Sequence, residues 1–155
     1  FLNLHVAAVQ HLYEAMRDSQ NTPELSDEQE TSVKLEEAAC WCRIIDELAH
    51  DFLGQNRSLF MDYFGDNIAE MLALEGMPPG SICQTIRERM AEYAQYRKWI
   101  PEGKEGNKGT LLWEAAKHVG NPLQLGQNPL FLITFGSRVL QHLELMMVQD
   151  LLTRP

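Results

Sequence analysis

The sequence predicts an all-α protein, a compact bundle of five to six helices with a central hydrophobic C-terminal helix. Three observations lead there. Apolar residues recur at spacings of three and four along the whole chain, the rhythm of one helical face. No stretch sustains the period-2 alternation of a half-buried strand. Between the periodic segments stand helix-capping residues and Gly/Pro breaks, such as Gly76-Met-Pro-Pro-Gly80 and Gly120-Asn-Pro122. With no internal repeat, low-complexity tract or linker, residues 1–155 read as a single all-helical domain. An apolar content of 45% with 23% charged residues is ordinary for a globular protein. A chain of about 150 residues buries roughly 68–70% of its unfolded surface, so one core is expected.

The first helix is expected from about Leu2 to Asp18, with Leu2, Val6, Val9, Leu12, Tyr13 and Met16 on one face. Ser26-Asp-Glu-Gln29 has the spacing of a capping box and opens a long second helix ending near Gly54. Asp27 and Glu28 stand in its first turn, where the helix dipole favours acids. A third helix is expected from about Ser58 to Glu75, with Phe60, Phe64, Ile68, Met71 and Leu72 inward. Ser81-Ile-Cys-Gln84 repeats the capping-box spacing and opens a fourth that stops at Pro101. Thr110 caps a short fifth helix to about Val119. Asn128-Pro129 starts the last, since Asn is a favoured N-cap and Pro is tolerated at the first helical position. That helix reaches about Leu152. Its inward stripe, Leu132, Phe135, Gly136, Val139, Leu140, Leu143, Met146 and Met147, is broad enough to predict the centre of the core.

The net charge of −9 is unevenly spread: residues 1–76 carry 4 Lys/Arg against 15 Asp/Glu, and residues 77–155 carry 9 against 7. Phosphate backbones repel such a chain, which disfavours nucleic acid as a partner. The acidic first half suits a basic protein partner as well as plain solvation. No run of 18 uncharged apolar residues occurs, so no membrane span is expected. Three cysteines, Cys40, Cys42 and Cys83, cannot all pair within one chain, and a reducing, cytoplasmic setting is the default expectation. The chain starts at Phe1 already in helical rhythm, so preceding residues, a signal peptide included, stay open.

The densest concentration of chemistry-bearing residues is Cys40-Trp-Cys-Arg-Ile-Ile-Asp-Glu-Leu-Ala-His-Asp-Phe52. It contains Glu47-x-x-His50, a spacing that di-metal bundles use when both side chains project inward and a second copy faces them. On a helical wheel, at about 100° per residue, Ala38, Trp41, Cys42, Ile45, Leu48, Ala49 and Phe52 share the face a bundle buries. Arg43, Glu47 and His50 fall opposite, with Asp46 at the edge, and no second copy exists. No metal is therefore assigned. Arg43 is expected to pair with Asp46 and Glu47, at about a few tenths of a kcal/mol each. Cys40 and Cys42 point about 200° apart on a helix and cannot grip one ion. Cys42 is expected in the core and Cys40 as the more exposed thiol.

The loop Gly103-Lys-Glu-Gly-Asn-Lys-Gly-Thr110 has the residue types of a phosphate loop in the wrong order and after a helix, so it is expected to be a surface loop. An anion at the Thr110 helix start is the weaker alternative. The histidines, His5, His11, His50, His118 and His142, are scattered, and His118 with Glu114, four apart, has the spacing of an exposed pair or an acid/base couple. No nucleophile elbow or zinc-protease motif occurs, and no catalytic residue or cofactor is assigned. Tyr93, Tyr96 and Trp99 step by three among Arg89, Arg97 and Lys98, an aromatic and basic stripe that suits a partner surface. Phe131, Leu145 and Val148 lie off the inward stripe of the last helix and suggest a second contact or self-association. The expected function is thus a non-catalytic protein-interaction domain of inhibitor, adaptor or immunity type, with Tyr96, Arg97, Trp99, Phe131, Leu145 and Val148 as partner-binding residues. The alternatives are a bundle that binds a small molecule or cofactor, enzymatic or not, and, more weakly, a metal-dependent bundle enzyme.

Overall fold

A computed structural model describes residues 25–74, 76–96 and 109–153, with side chains described as far as Leu145. Among these residues every regular element is a helix: α1 (Asp27–Leu53), a short 3-10 turn (Gly54–Asn56), α2 (Arg57–Leu74), α3 (Pro79–Tyr93), α4 (Leu111–Gly120) and α5 (Pro129–Thr153). None is long and apolar enough to cross a membrane. The expected helix from Leu2 to Asp18 lies outside the described residues, as does the segment 97–108.

The caps explain where the chain turns. Ser26 and Gln29 form the reciprocal capping box, and the Gln29 amide also donates to the Pro122 carbonyl at 2.9 Å, which ties the start of α1 to the loop after α4. Thr110 accepts from the Trp113 amide at the start of α4. Asn128 accepts from the Leu130 and Phe131 amides, with Pro129 as the first residue of α5. The expected box at Ser81 is absent: the N-cap is Pro78, three residues earlier, α3 opens at Pro79, and the Ser81 hydroxyl turns back to donate to the Pro78 carbonyl. Proline at the first helical position removes one amide from those a cap would satisfy, and the Ser81 and Ile82 amides donate to the Pro78 carbonyl.

Among the described residues α1 is the most extensively packed helix, lying against α2, α3 and α4, while α5 packs on α4. The expected centrality of the last helix is therefore not what these residues display. Its stripe is nevertheless inward: Leu132, Phe135, Val139 and Leu143 are buried. Gly136 faces α4, where an added Cβ would stand 3.6 Å from the Leu112 Cβ, an ordinary contact. The turn between α4 and α5 is tighter. An added Cβ on Gly120 would lie 2.8 Å from the Gly126 backbone nitrogen and 2.9 Å from the Phe131 ring, so only glycine fits there.

Candidate functional site

The middle of α1 carries more than a one-sided face. Trp41, Cys42, Ile44 and Ala49 are buried as its periodicity requires, but so are Cys40, Glu36 and Glu37. Cys40 is 1% exposed, which corrects the expected exposed thiol: α1 is covered by three helices, and a one-sided wheel leaves no room for that. Burial first, and the neighbouring Glu37 carboxylate second, push the Cys40 thiol well up. Burial and Asp46 raise Cys42 to about 12. Neither is a thiolate at neutral pH, so neither has the makings of a nucleophile.

Arg43 pairs with Glu47 and, at 3.6 Å, with Asp46, at the spacings expected. The edge of this face is not open to solvent, however. Arg57, at the start of α2, folds back to grip Asp46 with two donors at 2.7 and 2.6 Å, and Asp46 is 9% exposed. That hydrogen bond, above all, raises the Arg57 guanidinium further. His50 lies beyond this cluster, exposed and next to Asp51. Among the described residues no group of three or more His, Cys, Asp or Glu side chains converges as a metal site would require. From His50 to Asn56 every residue is exposed, which also corrects Phe52: the last turn of α1 outruns the helices that cover its middle, and Phe52 is 80% exposed.

A second charged constellation joins α1, α3 and α4. Arg89 makes a bidentate pair with Glu36, Nε to Oε2 and Nη2 to Oε1 both at 2.7 Å, and its Nη1 donates to Glu92 at 2.8 Å. The other Glu92 oxygen meets His118 Nε2 at 2.8 Å. The hydrogen bonds that Arg89 donates to Glu36 above all hold its guanidinium charged. Burial acts to raise Glu92, but His118 and Arg89 outweigh it and hold the carboxyl below its usual range. Tyr93, read from the sequence as part of the aromatic and basic stripe, is fully buried, its ring edge-on to His118 with centroids 5.8 Å apart. Burial pushes its hydroxyl up, and that oxygen finds no hydrogen-bond partner among the described residues. The expected pairing of His118 with Glu114 is not made. Glu114 takes Lys117 at 2.6 Å instead, because the imidazole turns toward α3. Four charged or titratable groups thus connect three helices, with no nucleophile or open substrate position among them, which is the arrangement of a structural tie.

The loop residues 102–108, with Lys104 and Lys108, lie outside the described residues. At the α4 start the Gly109 amide already donates to the Glu114 carboxylate at 3.4 Å, so an acid of the chain stands where an external anion would sit.

One cleft opens between α1, α2 and α3, with a volume of about 410 Å³. Cys42, Met61, Cys83, Ile86 and Met90 give it apolar, sulfur-rich walls. Gly65 lies on the α2 side, and Asp62, Asp66 and Arg87 stand at its rim.

Two sets of apolar side chains face outward. On α2, Leu59, Tyr63 and Leu74 are 73%, 70% and 84% exposed. At about 100° per residue they fall within one stripe, with Glu70 inside it and Asp66 at its edge. On α5, Leu130, Ile133 and Leu145 are 65%, 49% and 53% exposed. Of the residues expected to bind a partner, Leu145 is on this surface and Tyr96 is half-buried against the core. Phe131 is fully buried, which corrects its placement: the loop from Gly120 to Gly126 closes over the first turn of α5 and takes the ring. Arg97, Trp99 and the Val148 side chain lie outside the described residues.

No protein-family model, curated protein or solved structure matches the chain.

Function must therefore be argued from the surface and the cleft. Sequence reasoning passed over Leu59, Tyr63 and Leu74 because it assigned α2 a single inward stripe, Phe60 to Leu72. The signal was present, since both faces of this helix carry large apolar residues. Arg57 and Arg89 were missed because their partners lie 11 and 53 residues away.

Proposed function

We propose that the chain is a non-catalytic interaction domain that binds a protein partner through the outward face of α2. One observation supports this above all: Leu59, Tyr63 and Leu74 are exposed on a helix whose opposite face already supplies Ile68 and Leu72 to the core. A helix apolar on both sides is ordinarily covered on both. Exposed apolar residues grouped on one stripe and edged by charge are the mark of an interface. Glu70 within the stripe and Asp66 at its edge make the surface acidic, in keeping with the acidic first half of the chain. The partner is therefore a basic amphipathic helix that lays Leu or Ile side chains between Leu59 and Tyr63 and sets Lys or Arg against Glu70. The rim charges add specificity and association rate more than affinity.

The experiment is fluorescence anisotropy of a labelled helical peptide of Leu and Lys at spacings of three and four. Saturable binding weakened by salt is expected. Tyr63→Asp lowers affinity at least about tenfold, or about 1.4 kcal/mol, with circular dichroism and melting unchanged. Leu145→Asp leaves it as it was. An effect from Leu145→Asp and none from Tyr63→Asp transfers the interface to α5, and failure of the wild type to bind the peptide contradicts the proposal.

A further inference from the structure

The cleft between α1, α2 and α3 has a feature that the fold does not explain. Gly65 sits in the interior of α2, where glycine is destabilising relative to alanine. Its backbone does not call for glycine, because the positive-φ glycines among the described residues are Gly54, Gly76 and Gly109. Nor does crowding call for it, because a Cβ built there meets nothing within 4 Å. Gly120 and Gly126 make the contrast, since at each a Cβ would strike backbone atoms within 3 Å. Gly65 borders the cleft, and what its missing side chain provides is space there.

The chemistry around that space is specific. The walls are Cys42, Met61, Ile86 and Met90, apolar and polarisable, which suits an aliphatic or aromatic body. At the rim, Asp62 and Asp66 stand one turn apart on α2, and Arg87 stands on α3. Among the described residues these three form no ion pair or hydrogen bond with one another or with any other side chain. Carboxylates on one wall and a guanidinium on the other offer partners to an ammonium and a carboxylate of the same molecule. A singly charged ligand leaves one wall unmatched, and a zwitterion matches both. A volume of about 410 Å³ is at the lower end for small-molecule sites, room for a molecule of a few to a dozen or so heavy atoms.

From these features we propose that the cleft is a binding site for a small apolar zwitterion, a hydrophobic amino acid being the simplest member. Its ammonium lies toward Asp62 and Asp66, its carboxylate meets Arg87, and its side chain enters among Met61, Ile86 and Met90 where Gly65 leaves room. The site shares Asp66 with the edge of the outward stripe of α2, but Gly65, Arg87 and the apolar walls belong to the cleft alone, so the variants Gly65→Leu and Arg87→Gln test it apart from that stripe.

Titration calorimetry with leucine, methionine and phenylalanine tests the proposal, with isoamylamine and isovalerate as singly charged controls. At least one amino acid is expected to bind more tightly than about 1 mM, and neither control to match it. Gly65→Leu is expected to weaken binding at least about tenfold while the melting temperature holds or rises, the signature of a filled site rather than a damaged fold. Arg87→Gln is expected to abolish the preference for the amino acid over isoamylamine. No binding by any of the three amino acids overturns the proposal. So does equal binding of isoamylamine to the wild type, and so does unaltered amino-acid affinity in Gly65→Leu.

Discussion

Two regions of this molecule use charge and apolar surface in opposite ways. In the seam where α1, α3 and α4 meet, acids are inside and every one at the centre of the tie is answered: Glu36 by Arg89, Glu92 by Arg89 and His118. On the outward side of α2, large apolar groups are outside with Glu70 among them and, among the described residues, no helix over them. A buried charge is tolerable only when its partner is also in place, and in the seam Glu36 and Glu92 have theirs within the fold. An exposed apolar stripe is tolerable at little cost to the monomer, but it leaves burial still to be gained. The comparison teaches where to look for function: not in the densest cluster of titratable groups, which ties helices together, but on the apolar face that the described helices leave uncovered.

The largest expected effect comes from breaking the seam. Arg89→Met strands Glu36, whose side chain is 10% exposed, and is expected to cost about 3 kcal/mol in urea unfolding, at the lower end for a broken buried pair because Arg89 itself is partly exposed. Tyr63→Ser on the α2 stripe is expected to change stability by less than about 0.5 kcal/mol. Equal losses in the two variants would erase the distinction between the regions.

A pair of glycines sharpens it. Gly120→Ala forces a Cβ against the Gly126 backbone and the Phe131 ring and is expected to cost about 1–3 kcal/mol. Gly65→Ala on α2 meets open space and is expected to stabilise by about 0.5–1 kcal/mol. Thermal unfolding of the two variants beside the wild type reads both signs.

Tyr93→Phe removes a buried hydroxyl that has no partner among the described residues, and is expected to raise stability by about 1 kcal/mol. A loss of similar size would show that the hydroxyl is engaged within the seam.

The smallest effect is in acid. Glu92 has its carboxyl held down in the folded state, so its pairing contributes stability above the ordinary carboxylate range, about pH 4 to 5, that is lost as pH falls through the lower folded value. His118→Gln removes one of the groups that hold it down and is expected to flatten the decline in melting temperature over that range. An unchanged acid profile would show that Arg89 alone sets the carboxyl.

Much of the fold was legible in the sequence, because periodicity and caps are local. The α1 capping box, Thr110, Asn128-Pro129, and the inward residues Leu132, Phe135, Val139 and Leu143 follow from spacings of three and four. What was not legible is set by elements far apart in the chain. Cys40 is buried because three helices surround α1, and Phe131 because a loop closes over it. His118 turns to Glu92 on another helix rather than to Glu114 on its own. The outward stripe of α2 was hidden by the assumption that a helix has one apolar face, and the cleft requires three helices to be in place before it exists.

The central claim is that the outward face of α2 is where the domain meets its partner, and amide hydrogen exchange with and without the basic amphipathic peptide tests it most directly. Added protection is expected along residues 59–74, strongest around Leu59 and Tyr63, with the seam residues of α3 and α4 and the exposed side of α5 unchanged. Protection that falls instead on residues 130–145, or that leaves α2 as it was while the peptide is bound, would contradict it.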